Sequence, residues 1–126
     1  MSEDSIKGII FMYHPNVFSV EYENTAALTG DLEIETGKEC AENHGYIAIR
    51  PKDIVLSRSP FASSMRNSFQ GKVESVSDKG FFYEVGVRVG KVFSTSLITK
   101  KSPYELRVHE GTEVYPAFKA TAIHSF

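Results

Sequence analysis

The 126-residue sequence has one cysteine, Cys40, so no disulfide can form within the chain and the fold must rest on its apolar core. That usage fits a reducing cytoplasm. Long hydrophobic runs are also missing: stretches such as Ile9 to Tyr13 fall far short of the roughly 20 residues that span a bilayer. The start, Met1-Ser2-Glu3-Asp4, is acidic where a secretory leader needs a basic segment, so the expected location is cytoplasmic. Catalytic signatures are equally sparse. There is no Gly-x-x-x-x-Gly-Lys-Ser/Thr phosphate loop for nucleotide hydrolysis and no Gly-x-Ser-x-Gly nucleophile elbow. His14, His44, His109 and His124 lie far apart, with no His-x-x-x-His pair and no cysteine cluster, so no metal site is read from them. The expectation is a binding protein and not an enzyme.

What the chain does have is a globular composition, 41% hydrophobic and 12% aromatic, enough apolar surface to offset the entropy of ordering. Its length suits one domain or two small lobes sharing a core. The formal net charge of −2 hides an asymmetry. Residues 1–49 hold Lys7 and Lys38 against nine acids, a balance of −7, whereas residues 50–126 hold 12 bases against 7 acids, a balance of +5. A polyanion gripped over the whole surface is excluded, and a small anion is to be sought in the basic half.

Short runs rich in β-branched and aromatic residues recur along the chain: Ile6 to Tyr13, Val17 to Glu23, Tyr46 to Arg50, Ile54 to Ser57, Phe69 to Val76, Gly80 to Val89, Lys91 to Ile98 and Glu113 to Thr121. Turn formers such as Thr29-Gly30-Asp31, Asp78-Lys79-Gly80 and Glu110-Gly111-Thr112 punctuate them. The pattern predicts an all-β sandwich or small barrel. One exception is Ser102-Pro103-Tyr104-Glu105, a capping box with proline at the first helical position, which predicts a short helix. Ser57 to Ser64 reads as a linker. The expected organisation is an acidic β-rich lobe at 1–57, a linker at 58–63 and a basic barrel at 64–126. The residues show no long internal repeat.

Three segments carry binding chemistry: Ser64-Met65-Arg66-Asn67, Ile98-Thr99-Lys100-Lys101-Ser102, and Phe118-Lys119-Ala120-Thr121-Ala122. Each offers ammonium, guanidinium, hydroxyl or backbone N–H donors, and none contains a carboxylate. An ionised tetrahedral dianion presents only acceptor oxygens and is repelled by Asp or Glu, so a phosphate-like or molybdate-like oxyanion is the ligand class these donors suit. Taken singly, Arg66 and Lys119 also read as solvated surface charges, and Ser64 and Asn67 as turn formers.

Ser64-Met65-Arg66-Asn67-x-x-x-Gly71-x-Val73 resembles the Ser-x-Arg-Asn-x-x-x-Gly-x-Val opening of the Mop, or molybdate-binding TOBE, domain. Ser102-x-x-Glu105-Leu106 with Glu110-Gly111-x-Glu113-Val114 is similar to a second segment of that family, and Phe118-Lys119-Ala120-Thr121-Ala122-Ile123-His124 to its closing Lys-Ser/Ala-Thr strand. Upstream, Ile49-Arg50-Pro51-Lys52-Asp53-Ile54 resembles the Ile-Arg-Pro-Glu-Asp-Ile stretch in the C-terminal regulatory region of molybdate and tungstate ABC transporter ATPases, and Asn16-Val17-Phe18 echoes the opening of the same region. The resemblance implies an OB-like barrel binding molybdate or tungstate between subunits, hence at least a dimer. Carried over by position, the ligands are Ser64, Met65 (backbone N–H), Arg66, Asn67, Lys119, Ala120 (backbone N–H) and Thr121, with Thr99 and Ser102 as secondary candidates. No cofactor is implied. Ala120 departs from members with serine there, removing a hydroxyl, and no ATPase motif accompanies the resemblance.

Residues 1–49 are on length alone too few for a second complete barrel, so the chain reads as a free-standing oxyanion sensor or buffer, or as a regulatory region without its motor. Two other readings remain. An OB-like barrel can bind single-stranded nucleic acid through exposed aromatics and a basic groove, here Phe81, Phe82 and Tyr83 with Lys79, Arg88 and Lys91. Alternatively the acidic lobe docks on a separate transporter ATPase.

Overall fold

The computed structural model describes residues 15–60, 67–100 and 108–126. The expected strand at Ile6 to Tyr13, the capping box at Ser102 to Glu105, and the candidates Ser64, Met65, Arg66 and Ser102 lie outside the described residues. Within them the protein is all-β. Eleven strands run β1 (Asn16–Glu23), β2 (Ala26–Thr29), β3 (Leu32–Glu35), β4 (His44–Ile49), β5 (Val55–Ser57), β6 (Asn67–Ser68), β7 (Gly71–Asp78), β8 (Phe82–Val89), β9 (Val92–Thr99), β10 (Glu113–Phe118) and β11 (His124–Ser125). Single 3-10 turns at Pro51–Asp53 and Ala120–Ala122 are the only helical pieces among the described residues.

Two antiparallel sheets result, one ordered β11-β4-β1-β2-β3 and the other β5-β10-β7-β8-β9, with β6 also paired to β10. Four strands escape the sequence reading, the two-residue β6 and β11 and the hairpin β2–β3. Ala26–Thr29 and Leu32–Glu35 are short, and alanine and glutamate are weak strand formers, but pairing with β1 overrides propensity and leaves Ala27 and Ile34 buried. The last of the expected runs is cut short: Glu113 to Thr121 stops as a strand at Phe118, after which Ala120–Ala122 turns.

The two sheet orders are the same order. Strands β1 to β4 occupy the places that β7 to β10 occupy in the other sheet, and each sheet receives its fifth strand from the other half of the chain. β5 lies before the 58–63 segment yet pairs with β10, while β11 closes the chain yet pairs with β4. A repeat is therefore present, contrary to the sequence reading, and the first half repeats the plan of the second despite its length. Asn16-x-Phe18 and Asn67-x-Phe69 open the two halves, with Asn16 in register with Ile49 and Asn67 with Phe118.

The same asparagines fasten the sheets together. The Asn16 amide accepts from Thr95 N (2.7 Å) and donates to Thr95 O (2.9 Å) on β9. The Asn67 amide accepts from Glu35 N (2.7 Å) and donates to Glu35 O (2.9 Å) on β3. Each thereby supplies a partly buried edge strand with the partner that its ladder lacks. The hairpin tips also meet: Gly90, at φ 58, sits so close to Asp31 that a Cβ there would overlap its carboxylate.

One core serves both halves, joining Val20, Ile34, Ile47 and Ile49 to Val73, Val85, Val87, Val114 and Phe118. The second sheet curls toward closure as β9 comes against β5, where Ser96 Oγ donates to the Ile54 carbonyl at 2.6 Å. A bulge between Val73 and Ser75 bends β7, and beyond it the β7–β8 hairpin projects with residues 74–81 exposed.

Candidate functional site

Leaving β10, the chain passes from buried Phe118 to exposed Lys119, whose extended backbone (φ −79°, ψ 147°) caps the Ala120–Ala122 turn. Ala122 N–H bonds Lys119 O (3.0 Å) and Ile123 N–H bonds Ala120 O (3.2 Å), fixing the turn before β11 joins β4. Small side chains at Ala120 and Ala122 leave Lys119 and Thr121 to project from a tight loop.

Lys119 and Thr121 line a cleft of about 460 Å³ together with Arg50, Lys52 and Asp53 from the other half. Three cations thus face one carboxylate. Arg50 and Lys52 are absent from the sequence-derived ligand set, and what would have revealed them is the repeat. The Pro51–Asp53 turn has the same cap geometry at Arg50 (φ −66°, ψ 139°) and the same bonds, Asp53 N–H to Arg50 O at 2.9 Å and Ile54 N–H to Pro51 O at 3.3 Å.

Of the other candidates, Asn67 stands opposite Phe118, one residue from Lys119 across the β6–β10 pair, so these two segments are brought side by side. Its amide, however, is bonded to Glu35 and its side chain is buried to 2% exposure. Ala120 is half-buried on the turn. Thr99 ends β9 opposite Phe82 and does not line this cleft.

A larger depression, about 820 Å³, lies along β7 and includes Lys72 and Arg88. It also carries Glu74, Glu110 and Glu113, and Arg88 is already held by Glu74 at 2.6 Å, so a dianion meets repulsion there. That pairing raises the Arg88 pKa further above its ordinary value. The aromatic run of the projecting hairpin is likewise flanked by neutralised cations. Lys79 pairs with Glu84 at 3.7 Å and Lys100 with Asp78 at 2.8 Å, and Phe81, although 87% exposed, has no basic groove beside it among the described residues. Single-stranded nucleic acid needs such a groove. Among the described residues no three His, Cys, Asp or Glu side chains group as a metal-ligand set.

Known proteins resemble this chain in sequence and in fold. The family model described as TOBE domain matches residues 63–125. The molybdate/tungstate import ATP-binding protein WtpC of Pyrococcus horikoshii is 38% identical over 97 residues, which cover 77% of this chain and 28% of that protein. Its namesake from Pyrococcus abyssi is 39% identical over 80 residues, 64% of this chain and 23% of that protein. The chain therefore spans about a quarter of the length of these relatives. Among solved structures, the cytoplasmic molybdate-binding protein ModG with molybdate bound superposes with a TM-score of 0.75 over 87% of this chain and 94% of that one, at 16% identity.

Proposed function

The chain belongs to the TOBE domain family, and from that premise we propose that it binds molybdate or tungstate reversibly, with no bond made or broken. The observation that carries this reading is the convergence of Arg50, Lys52 and Lys119, with the Thr121 hydroxyl, on one cleft beside the Asn67 strand. The names of the WtpC relatives and of ModG support the same ligand class. Lys119 supplies a charge-assisted hydrogen bond, Thr121 a hydroxyl and Ala120 a backbone N–H, while Ser64, the Met65 N–H and Arg66 complete the shell. Asn67 acts by anchoring the strand that leads from those residues.

The cleft is open and larger than one tetrahedral anion requires, so a dry enclosure calls for further groups. A second copy is the source that fits the family pattern, making the functional unit at least a dimer with binding coupled to assembly. Selection against sulfate then rests on cavity size, since charge and shape are common to these anions. Such a module acts inside the cell as a sensor or buffer, or as the regulatory region of a transporter ATPase.

Isothermal titration of the full chain with molybdate, tungstate and sulfate tests the reading. Saturable binding of the two heavier anions with little heat from sulfate is expected. No binding by a folded protein, or equal affinity for sulfate, contradicts it.

A further inference from the structure

The two 3-10 turns that face each other across the cleft are equivalent positions of the repeat. Arg50 stands where Lys119 does, Pro51 where Ala120, Lys52 where Thr121 and Asp53 where Ala122. Backbone dihedrals agree at the residues flanking each turn, and the two hydrogen bonds of one turn match those of the other. The turns differ at the fourth position in a way that matters for anions. Asp53 Oδ2 accepts from Arg50 Nε at 2.7 Å, with the two side chains half-buried at 22% and 30% exposure. Ala122 has no carboxylate to offer, and no described acid pairs with Lys119.

We infer that the Arg50–Asp53 turn is a second oxyanion half-site, silenced by its own carboxylate, and that Asp53 sets how much positive charge the shared cleft presents to a ligand. The physical basis is competition. Asp53 is a tethered anion three residues from Arg50, already in hydrogen-bond geometry, so an incoming dianion must displace it before it can use the guanidinium. Asp53 also lines the cleft and repels the ligand directly. The repeat thus retains a cation at both equivalent positions but ties one of them, Arg50, to a carboxylate, whereas Lys119 has no such competitor on its own turn.

Molybdate titration of a variant panel tests this. Asp53→Asn keeps the shape of the turn and removes its charge, so it is expected to bind molybdate about five- to tenfold more tightly than the native chain, because a charged competitor is lost. Adding Arg50→Ala should cancel that gain. The reciprocal change, Ala122→Asp, sets a carboxylate three residues after Lys119 and should weaken binding by about tenfold through the same competition.

This inference rests on the oxyanion reading, and the panel separates the two. If Lys119→Ala abolishes native binding while Asp53→Asn is unchanged or weaker, the inference is overturned and the reading stands. If the native chain binds no molybdate, the reading fails. Binding gained by Asp53→Asn then still supports the silent half-site, and no gain overturns both. Thermal melts identify a misfolded variant; should Asp53→Asn fail to fold, Ala122→Asp decides the matter, and unchanged affinity there overturns the inference.

Discussion

Asn67 and Lys119 are neighbours across one strand pair but serve different ends. Asn67 is buried, and both ends of its amide are bonded to the Glu35 peptide groups, so alanine there orphans a part-buried N–H and a part-buried carbonyl. Asn67→Ala is expected to lower stability by about 2–4 kcal/mol, as leaving two such groups unpaired implies, with urea unfolding as the measurement. Asn16→Ala should behave similarly because it leaves Thr95 in the same position. Lys119 is exposed and its one structural bond, from Ala122 N–H, is to its backbone carbonyl, so Lys119→Ala should leave the unfolding midpoint nearly unchanged. Molybdate affinity should instead fall by about 10- to 100-fold, the equivalent of one charge-assisted hydrogen bond, measured by calorimetry. From the sequence both residues look like donors of one ligand shell. The amide's commitment to Glu35 was not legible, because it depends on a contact between residues 32 positions apart.

At the level of elements, the strands most visible in the sequence were those with β-branched alternation, β7 to β9 above all. β2 and β3 stayed hidden because their strand character comes from pairing with β1 and not from residue type. The projecting β7–β8 hairpin shows how local charge steadies an exposed element. Lys100, by its hydrogen bond, and then the Gly80 N–H hold the Asp78 carboxyl below its ordinary value of 3.8. A carboxyl with a lowered folded pKa stabilises the native state above its ordinary value, and that contribution is lost as pH falls through the folded value. An NMR titration should therefore find the Asp78 midpoint below 3.8, and Lys100→Met should move it upward. An unmoved midpoint in the variant contradicts the pairing.

For the whole molecule, the main fact is that two halves of like plan exchange their last strands and share one core. Unfolding should be a single cooperative transition. Residues 67–126 expressed alone leave β10 without β5 and β11 without β4, so circular dichroism and amide exchange should show no stable fold for that fragment. The basic character of the second half and its family pattern were legible in the sequence. The repeat was not, because across Ile47–Ser57 and Pro116–Phe126 only Ala48 with Ala117 and Ile54 with Ile123 are identical, and backbone geometry carries the rest. That hidden repeat is what brings Arg50 and Lys52 to Lys119. The central claim, a tetrahedral oxyanion in the cleft they share, is tested most directly by anomalous diffraction from a crystal grown with tungstate. The account predicts a tungsten peak at the centre of an anion whose oxygens lie within hydrogen-bond reach of the Lys119 side chain and Thr121. An empty cleft in a well-ordered crystal, or tungsten bound only in the Lys72–Arg88 depression, would contradict it.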